Sequence, residues 1–203
     1  MGERLVESQL ANDLETSRAP IREALQRLAK EGLVDERPHQ GTFVVTLSAE
    51  DVSEMYNVRL GLETTGLRLF MKQGSATRPL REAIEMMEKA AAKGDRPGVV
   101  AAEFEFHRRL ALGAQNNVLS GLFTDLEGRV MMAMALDDAS FENLHEVAAE
   151  HVPVVEAIEG GDEQLAVAVF EHHLVSTVGQ ALERLGGDTG SLLTPLNPSL
   201  LPK

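Results

Sequence analysis

The stretch Ser17-Arg18-Ala19-Pro20-Ile21-Arg22-Glu23-Ala24-Leu25 decides how the N-terminal part of the chain is read. Its apolar residues Ile21, Ala24 and Leu25, continued by Leu28, recur at spacings of three and four, which predicts a helix over Arg18 to Glu31. Ser17 suits the N-cap, Pro20 falls in the first turn where its missing N–H costs little, and Gly32 ends the run. With the apolar side turned inward, Arg18 and Arg22 stand at i and i+4 on the opposite face, near the helix start. An arginine fork placed there can bond guanine O6 and N7, while Ser17 and the helix N-terminus suit phosphate. The competing interpretation is a solvated helix on which Arg18 or Arg22 pairs with Glu15 or Glu23.

Upstream, Leu5, Leu10, Ala11 and Leu14 predict a short helix over Leu5 to Glu15, broken at Thr16-Ser17. Downstream, Leu33-Val34 and Thr42-Phe43-Val44-Val45 predict two short strands around the polar tip Arg37-Pro38-His39-Gln40-Gly41. Two short helices, a tight turn and a hairpin are the order of a winged helix-turn-helix, here over residues 1–46. The hairpin favours the DNA-reading interpretation of Arg18 and Arg22.

From Ser48 onward no strand pattern occurs. Ser48 with Asp51 is a capping pair opening a helix to about Met71. Further helices are predicted over 78–93, 96–113, 117–135, 141–159 and 163–184, with breaks at Gly94-Asp95, Asn116-Asn117, Asp137-Asp138 and Gly160-Gly161-Asp162. Short connections imply an antiparallel helical bundle over residues 47–185, so the protein is mainly α with two domains. Residues 186–203, rich in Gly, Ser, Pro and Leu without period, are expected to be a disordered tail.

The net charge of −13 argues against a surface that is basic throughout. The acidity is unevenly divided. Residues 1–46 hold six basic and eight acidic side chains, the remainder thirteen and twenty-four. With no cysteine, thiolate sites and disulfides are excluded, and any metal must be held by histidine and carboxylate. No apolar run approaches the roughly 18 residues of a membrane span, and the start carries no export signal, so a cytoplasmic protein is expected.

Histidines give the bundle its chemistry. Glu103 and His107 share a stripe with Phe106, Leu110 and Ala114; His151 lies with Ala148, Val155 and Ile158; His173 lies with Ala166, Val169 and Phe170. One inward histidine is ordinarily a satisfied core residue. Three, with a carboxylate, are hard to bury without a shared cation, because an unpaired polar group costs on the order of 1–3 kcal/mol. Zn²⁺ is favoured for such a donor set, with Ni²⁺ or Mn²⁺ as alternatives. His145 falls off the inward stripe; periodicity does not separate His172 from His173. Arg59 and Glu63, at i and i+4, are read either as a surface ion pair or with Arg59 as a fork reaching a ligand carboxylate in the pocket. Asn117 and Arg129 are further candidates for effector contact. Met131-Met132-Ala133-Met134 is core, or the lining of an adaptable pocket.

Residues 7 to 44, from Glu-Ser-Gln-Leu-Ala through Ser-Arg-Ala-Pro-Ile-Arg-Glu-Ala-Leu to Arg-Pro-His-Gln-Gly-Thr-Phe-Val, resemble the winged helix-turn-helix of the GntR family of repressors. The resemblance implies that Ser17, Arg18, Ala19 and Arg22 meet DNA from the recognition helix and that Gln40 and Gly41 form the wing tip. Ser8 stands where members often carry arginine. A further helix normally precedes the turn matched by Met1-Gly2-Glu3-Arg4-Leu5, so the expected domain lacks its first helix. The rest is similar to the FCD domain of one GntR subfamily, through Glu103-Phe104-Glu105-Phe106-His107, Asn117-Val118-Leu119, Glu150-His151 and His173-Leu174. That resemblance implies the ligand set Glu103, His107, His151 and His173, with Glu103 in place of the usual aspartate, and it selects His173 over His172.

Together these features imply a metabolite-responsive transcriptional repressor and not an enzyme: a homodimer on a double-stranded DNA operator, released when a small organic acid binds at a metal site. The rivals are a hydrolase using the histidines and Glu103, for which no His-Glu-x-x-His motif exists, and a truncated sensor that no longer binds DNA.

Overall fold

Five short elements come first in the computed structural model, which describes residues 2–138 and 141–192. Strand β1 (Arg4–Leu5) leads into helices α1 (Glu7–Asp13) and α2 (Arg18–Lys30), followed by strands β2 (Val34–Arg37) and β3 (Gly41–Val44). Ala11, Ile21 and Leu25 bury between the two helices, with Leu5, Leu10 and Leu28 packed on them. Ser17 takes the N-cap in extended conformation, with no side-chain capping bond among the described residues.

The sequence placed Leu5 in the first helix and Leu14 on its apolar face, and the structure corrects both. Leu5 pairs with Thr42 and Arg4 with Phe43, so the expected hairpin becomes a three-stranded antiparallel sheet in the order β1-β3-β2. Leu14 follows the last turn of α1 and is 66 % exposed. Strand β2 also runs through Asp35–Arg37, residues assigned partly to the polar tip. An edge strand needs only backbone pairing, so outward charges do not stop it; Arg37 also lies 4.5 Å over the Phe43 ring. At the tip Gly41 has φ +110°, and a Cβ there would stand 3.1 Å from Arg4 Nε. That conformation calls for glycine.

Six helices follow: α3 (Ala49–Lys72), α4 (Arg78–Ala91), α5 (Arg96–Gly113), α6 (Asn117–Asp138), α7 (His145–Gly160) and α8 (Glu163–Arg184). The chain divides into two compact units, Met1–Ser48 and Ala49–Lys203. The protein is thus mainly α, a winged helix-turn-helix and an all-helical unit. The break at Gly160-Gly161-Asp162 works as its residues suggest. Gly161 closes α7 in the left-handed region, and the Asp162 carboxylate caps α8 by accepting from Gln164 N and Leu165 N. Helix α3 packs against α5, α6 and α8, and α4 against α5 and α7. Their shared core includes Leu67, Phe70, Met87, Phe106, Leu110, Val155 and Phe170.

Helix α7 begins at His145, later than expected, whereas α6 persists to Asp138. Met134 is fully buried in α6, a core residue. Beyond Leu185 the chain, expected to be disordered, forms a turn of 3-10 helix at Thr189–Ser191 capped by Asp188. Residues 193–203 of that tail lie outside the described residues. Among the described residues no helix is long and apolar enough to cross a membrane.

Candidate metal centre and DNA-reading face

His107, His151 and His173 come from α5, α7 and α8, and all three are buried. Each offers a ring nitrogen within 4.8 Å of the other two. Their rings sit close together, His151 to His173 at 4.3 Å between centroids and His107 stacked on His173 at 5.7 Å. Phe106, 4.7 Å from the His151 ring, and Phe170, 5.9 Å from the His107 ring, close the apolar wall.

Hydrogen bonding fixes the tautomers. His151 Nδ1 lies 2.7 Å from the Val147 carbonyl oxygen, which can only accept, so Nδ1 carries the hydrogen. His107 Nδ1 lies 2.5 Å from Glu63 Oε2. Burial opposes ionisation of Glu63, but Arg59 and then His107 outweigh it and hold the carboxyl at about 2, so this oxygen also only accepts. Burial lowers all three histidines below their ordinary range; His151, with His107 beside it, falls to about 3. The neutral rings of His107 and His151 therefore direct bare Nε2 lone pairs at each other across 3.4 Å. Among the described residues, His173 Nδ1 is buried with no hydrogen-bond partner. Facing lone pairs repel in a dry interior, and a shared cation satisfies them.

The carboxylate of this cluster is the one the sequence left outside the ligand set. Glu103 is buried one turn before His107 on α5, but the group of mutually close donors consists of the three histidines. Glu63 instead orients His107 from behind, an arrangement that fixes a ligating ring and raises its basicity. The two residues are 44 positions apart, and no local motif announces the contact. Glu63 also ties Arg59 to the centre: Arg59 Nε donates to Glu63 Oε1 at 2.7 Å, both side chains being essentially inaccessible. Burial opposes the Arg59 charge, yet Glu63 and Tyr56 keep its pKa raised. The guanidinium lies 4.6 Å over the Tyr56 ring, and Arg59 Nη2 is buried with no hydrogen-bond partner among the described residues.

The remaining candidates separate cleanly. His173 is buried and His172 exposed, a distinction periodicity could not make. His145 is exposed and bonded to Glu88. Asn117 and Arg129 are exposed on α6, so the structure does not bring them into the buried cluster.

In the N-terminal unit Ser17, Arg18, Ala19, Arg22, Gln40 and Gly41 are all exposed. The partner of Arg22 is neither Glu15 nor Glu23. Arg22 instead donates to Glu7 of α1, from Nε to Oε1 at 3.0 Å and from Nη2 to Oε2 at 2.9 Å.

Residues 1–44 match the family model described as bacterial regulatory proteins, gntR family, and residues 54–176 match the FCD domain. A "Probable D-xylose utilization operon transcriptional repressor" of Paenarthrobacter nicotinovorans is 32 % identical over 92 % of this chain and 83 % of its own length. The "Gluconate operon transcriptional repressor" of Bacillus licheniformis is 26 % identical over 88 % of this chain and 76 % of that protein. The crystal structure of a GntR transcriptional regulator from Rhodococcus sp. RHA1 superposes with a TM-score of 0.74 at 24 % identity, covering 90 % of this chain and 88 % of that one, and agrees in fold.

Proposed function

Because this chain belongs to the GntR family of transcriptional regulators, with an FCD domain after its winged helix-turn-helix, we propose that it represses transcription under control of an organic acid sensed at a metal site. The observation that carries the sensor half is the pair of His107 and His151 lone pairs facing each other beside the orphaned Nδ1 of His173. His107, His151 and His173 would hold a divalent ion, Zn²⁺ before Ni²⁺ or Mn²⁺, with Glu103, buried one turn before His107, to complete the set. When bound, the ion supplies a Lewis-acid anchor for a carboxylate. Glu63 keeps the His107 ring oriented, and Phe106 and Phe170 exclude water from the rings.

Arg59 contributes the second half of acid recognition. Its Nε is committed to Glu63, and its buried Nη2 remains as a donor for an effector carboxylate. The relatives named for D-xylose and gluconate operons make a sugar-derived hydroxy acid the first effector class to try. Asn117 and Arg129 are exposed on α6 and are not used in this reading.

DNA would be read by Ser17, Arg18, Ala19 and Arg22 of the α2 start and by Gln40 and Gly41 of the wing, from two copies on a pseudo-palindromic operator. The effector acts only in so far as it binds the released state better than the DNA-bound one. The test is metal analysis of protein purified without chelator, then thermal shift with gluconate before and after stripping. About one ion per chain and an acid-dependent shift confined to the loaded form are expected. No metal after purification, and none taken up from Zn²⁺, Ni²⁺ or Mn²⁺, would remove the sensor half.

A further inference from the structure

Among the described residues, Arg22 is the base-reading candidate whose side chain is already clamped within its own unit. Glu7 holds it side-on: Nε and Nη2 form one edge of the planar guanidinium, and both carboxylate oxygens of Glu7 lie along that edge at 3.0 and 2.9 Å. The two residues belong to different helices and are 15 positions apart, so the bond crosses from α1 to α2. Arg22 remains 62 % exposed and Glu7 35 % exposed.

The guanidinium has a second bidentate edge, formed by Nη1 and the outer hydrogen of Nη2. With the side edge occupied, this end edge is left for a partner, on a side chain that is 62 % exposed. Guanine offers O6 and N7 in the major groove as two acceptors at the spacing such an edge fits. A free arginine would have to surrender its rotamer freedom on docking, whereas one held by a fixed carboxylate has surrendered it beforehand. The clamp also offsets the arginine's charge locally, which weakens its pull on phosphates in general and leaves directional hydrogen bonding as its main contribution.

We propose that Glu7 is a positioning residue for base recognition, clamping the side edge of Arg22 so that its end edge is presented to a guanine. This rests on the assignment of α2 as the DNA-reading helix. Glu7 touches no base. Its role is to convert a flexible cation into a fixed fork, and thereby to set sequence preference more than affinity.

The experiment is binding-site selection by the full chain from a randomised duplex library, followed by anisotropy titration on the selected duplex. Titrations are repeated on a duplex with one guanine changed to adenine, and on mixed-sequence DNA at two salt concentrations. The wild-type chain should prefer guanine at one position per half-site by between about fivefold and a hundredfold. Arg22→Ala and Arg22→Lys should both lose that preference, because lysine keeps the charge but lacks the fork. Glu7→Gln should weaken the preference at that position about fivefold or more, leave other positions unchanged, and hold or raise affinity for mixed-sequence DNA, since an acidic group leaves the interface. Melting temperatures of all four proteins should agree, the pair being exposed. Full guanine preference in Glu7→Gln would overturn the proposal, and so would a sharpened one, which would make Glu7 a competitor of DNA for Arg22. If the wild-type chain selects no sequence at all, the DNA-reading assignment itself falls, an outcome distinct from selection that is indifferent to Glu7.

Discussion

Each unit of this protein joins an arginine to a glutamate, and the two pairs have opposite surroundings. Arg22 and Glu7 are 62 % and 35 % exposed, whereas Arg59 and Glu63 are 2 % and 0 % exposed. Geometry barely distinguishes them, with N–O distances of 2.9 and 2.7 Å. Water does. At the surface the pair is screened and adds little to stability, so its arginine stays available to an incoming partner. In the core each charge has lost its hydration and depends on the other, so breaking the pair is costly even though forming it is not a large net gain. The surface pair therefore suits recognition and the buried pair suits holding a site in shape.

The largest expected effect comes from breaking the buried pair. Glu63→Ala leaves Arg59 as an uncompensated buried cation and releases His107 from its orienting bond, and it should cost about 3–5 kcal/mol in urea unfolding. Replacing both partners, Arg59→Met with Glu63→Leu, should cost markedly less. If the double variant is as unstable as Glu63→Ala, the desolvated charge is not the source of the loss.

Next comes the metal. An ion bound only by the folded state stabilises it by mass action, about 2.7 kcal/mol at a free concentration 100 times Kd. Stripping should therefore lower the melting temperature, and His151→Ala should abolish both uptake and shift, while His145→Ala should not. An unchanged metal content in His151→Ala would place the ion elsewhere.

Acid should act on the buried histidines. In the unfolded chain the histidines take up protons near 6.5, whereas His151 in the folded chain does so only near 3. Between those values the unfolded state binds more protons, so stability of the stripped protein should be full above pH 6.5 and fall progressively as pH drops toward 3. Proteins carrying His151→Phe should show a shallower fall over the same window in chemical denaturation. An identical slope would mean that His151 is protonated in the native state.

The surface pair should respond in DNA binding and hardly in stability. Arg22→Ala is expected to weaken binding to selected DNA by between about fivefold and a hundredfold, with the melting temperature unchanged. A large drop in melting temperature would show that Arg22 is structural after all.

The smallest effect is reserved for Arg78 and Glu82, which stand at the same i, i+4 spacing as Arg59 and Glu63 but are 86 % and 46 % exposed. Arg78→Ala should leave the thermal transition where it is. If it matched the loss in Glu63→Ala, solvation would not be what separates these pairs.

Much of the fold was legible locally. Apolar residues recurring every three and four positions, Gly161 followed by the Asp162 cap, and the Gly41 tip are decisions taken within a few residues of chain, and they needed no partner from afar. Errors fell where a local pattern had two uses. Leu5 satisfies a helical stripe and a strand equally, and only the free edge of β3 made it a strand. His107 and His151 were legible because each shared a stripe with apolar neighbours, a property of its own helix.

By itself the sequence determined the two units, the family they belong to, the absence of thiolate chemistry and the faces from which His107 and His151 point inward. Only the tertiary structure decided that His173 and not His172 is buried, that Glu63 holds His107, that Glu7 holds Arg22, and that Arg59–Glu63 and Arg78–Glu82 differ despite identical spacing. Periodicity reports which side of a helix a residue occupies. Depth, and therefore solvation and the identity of the partner, depends on which other helix packs against that side, and those contacts join residues tens of positions apart.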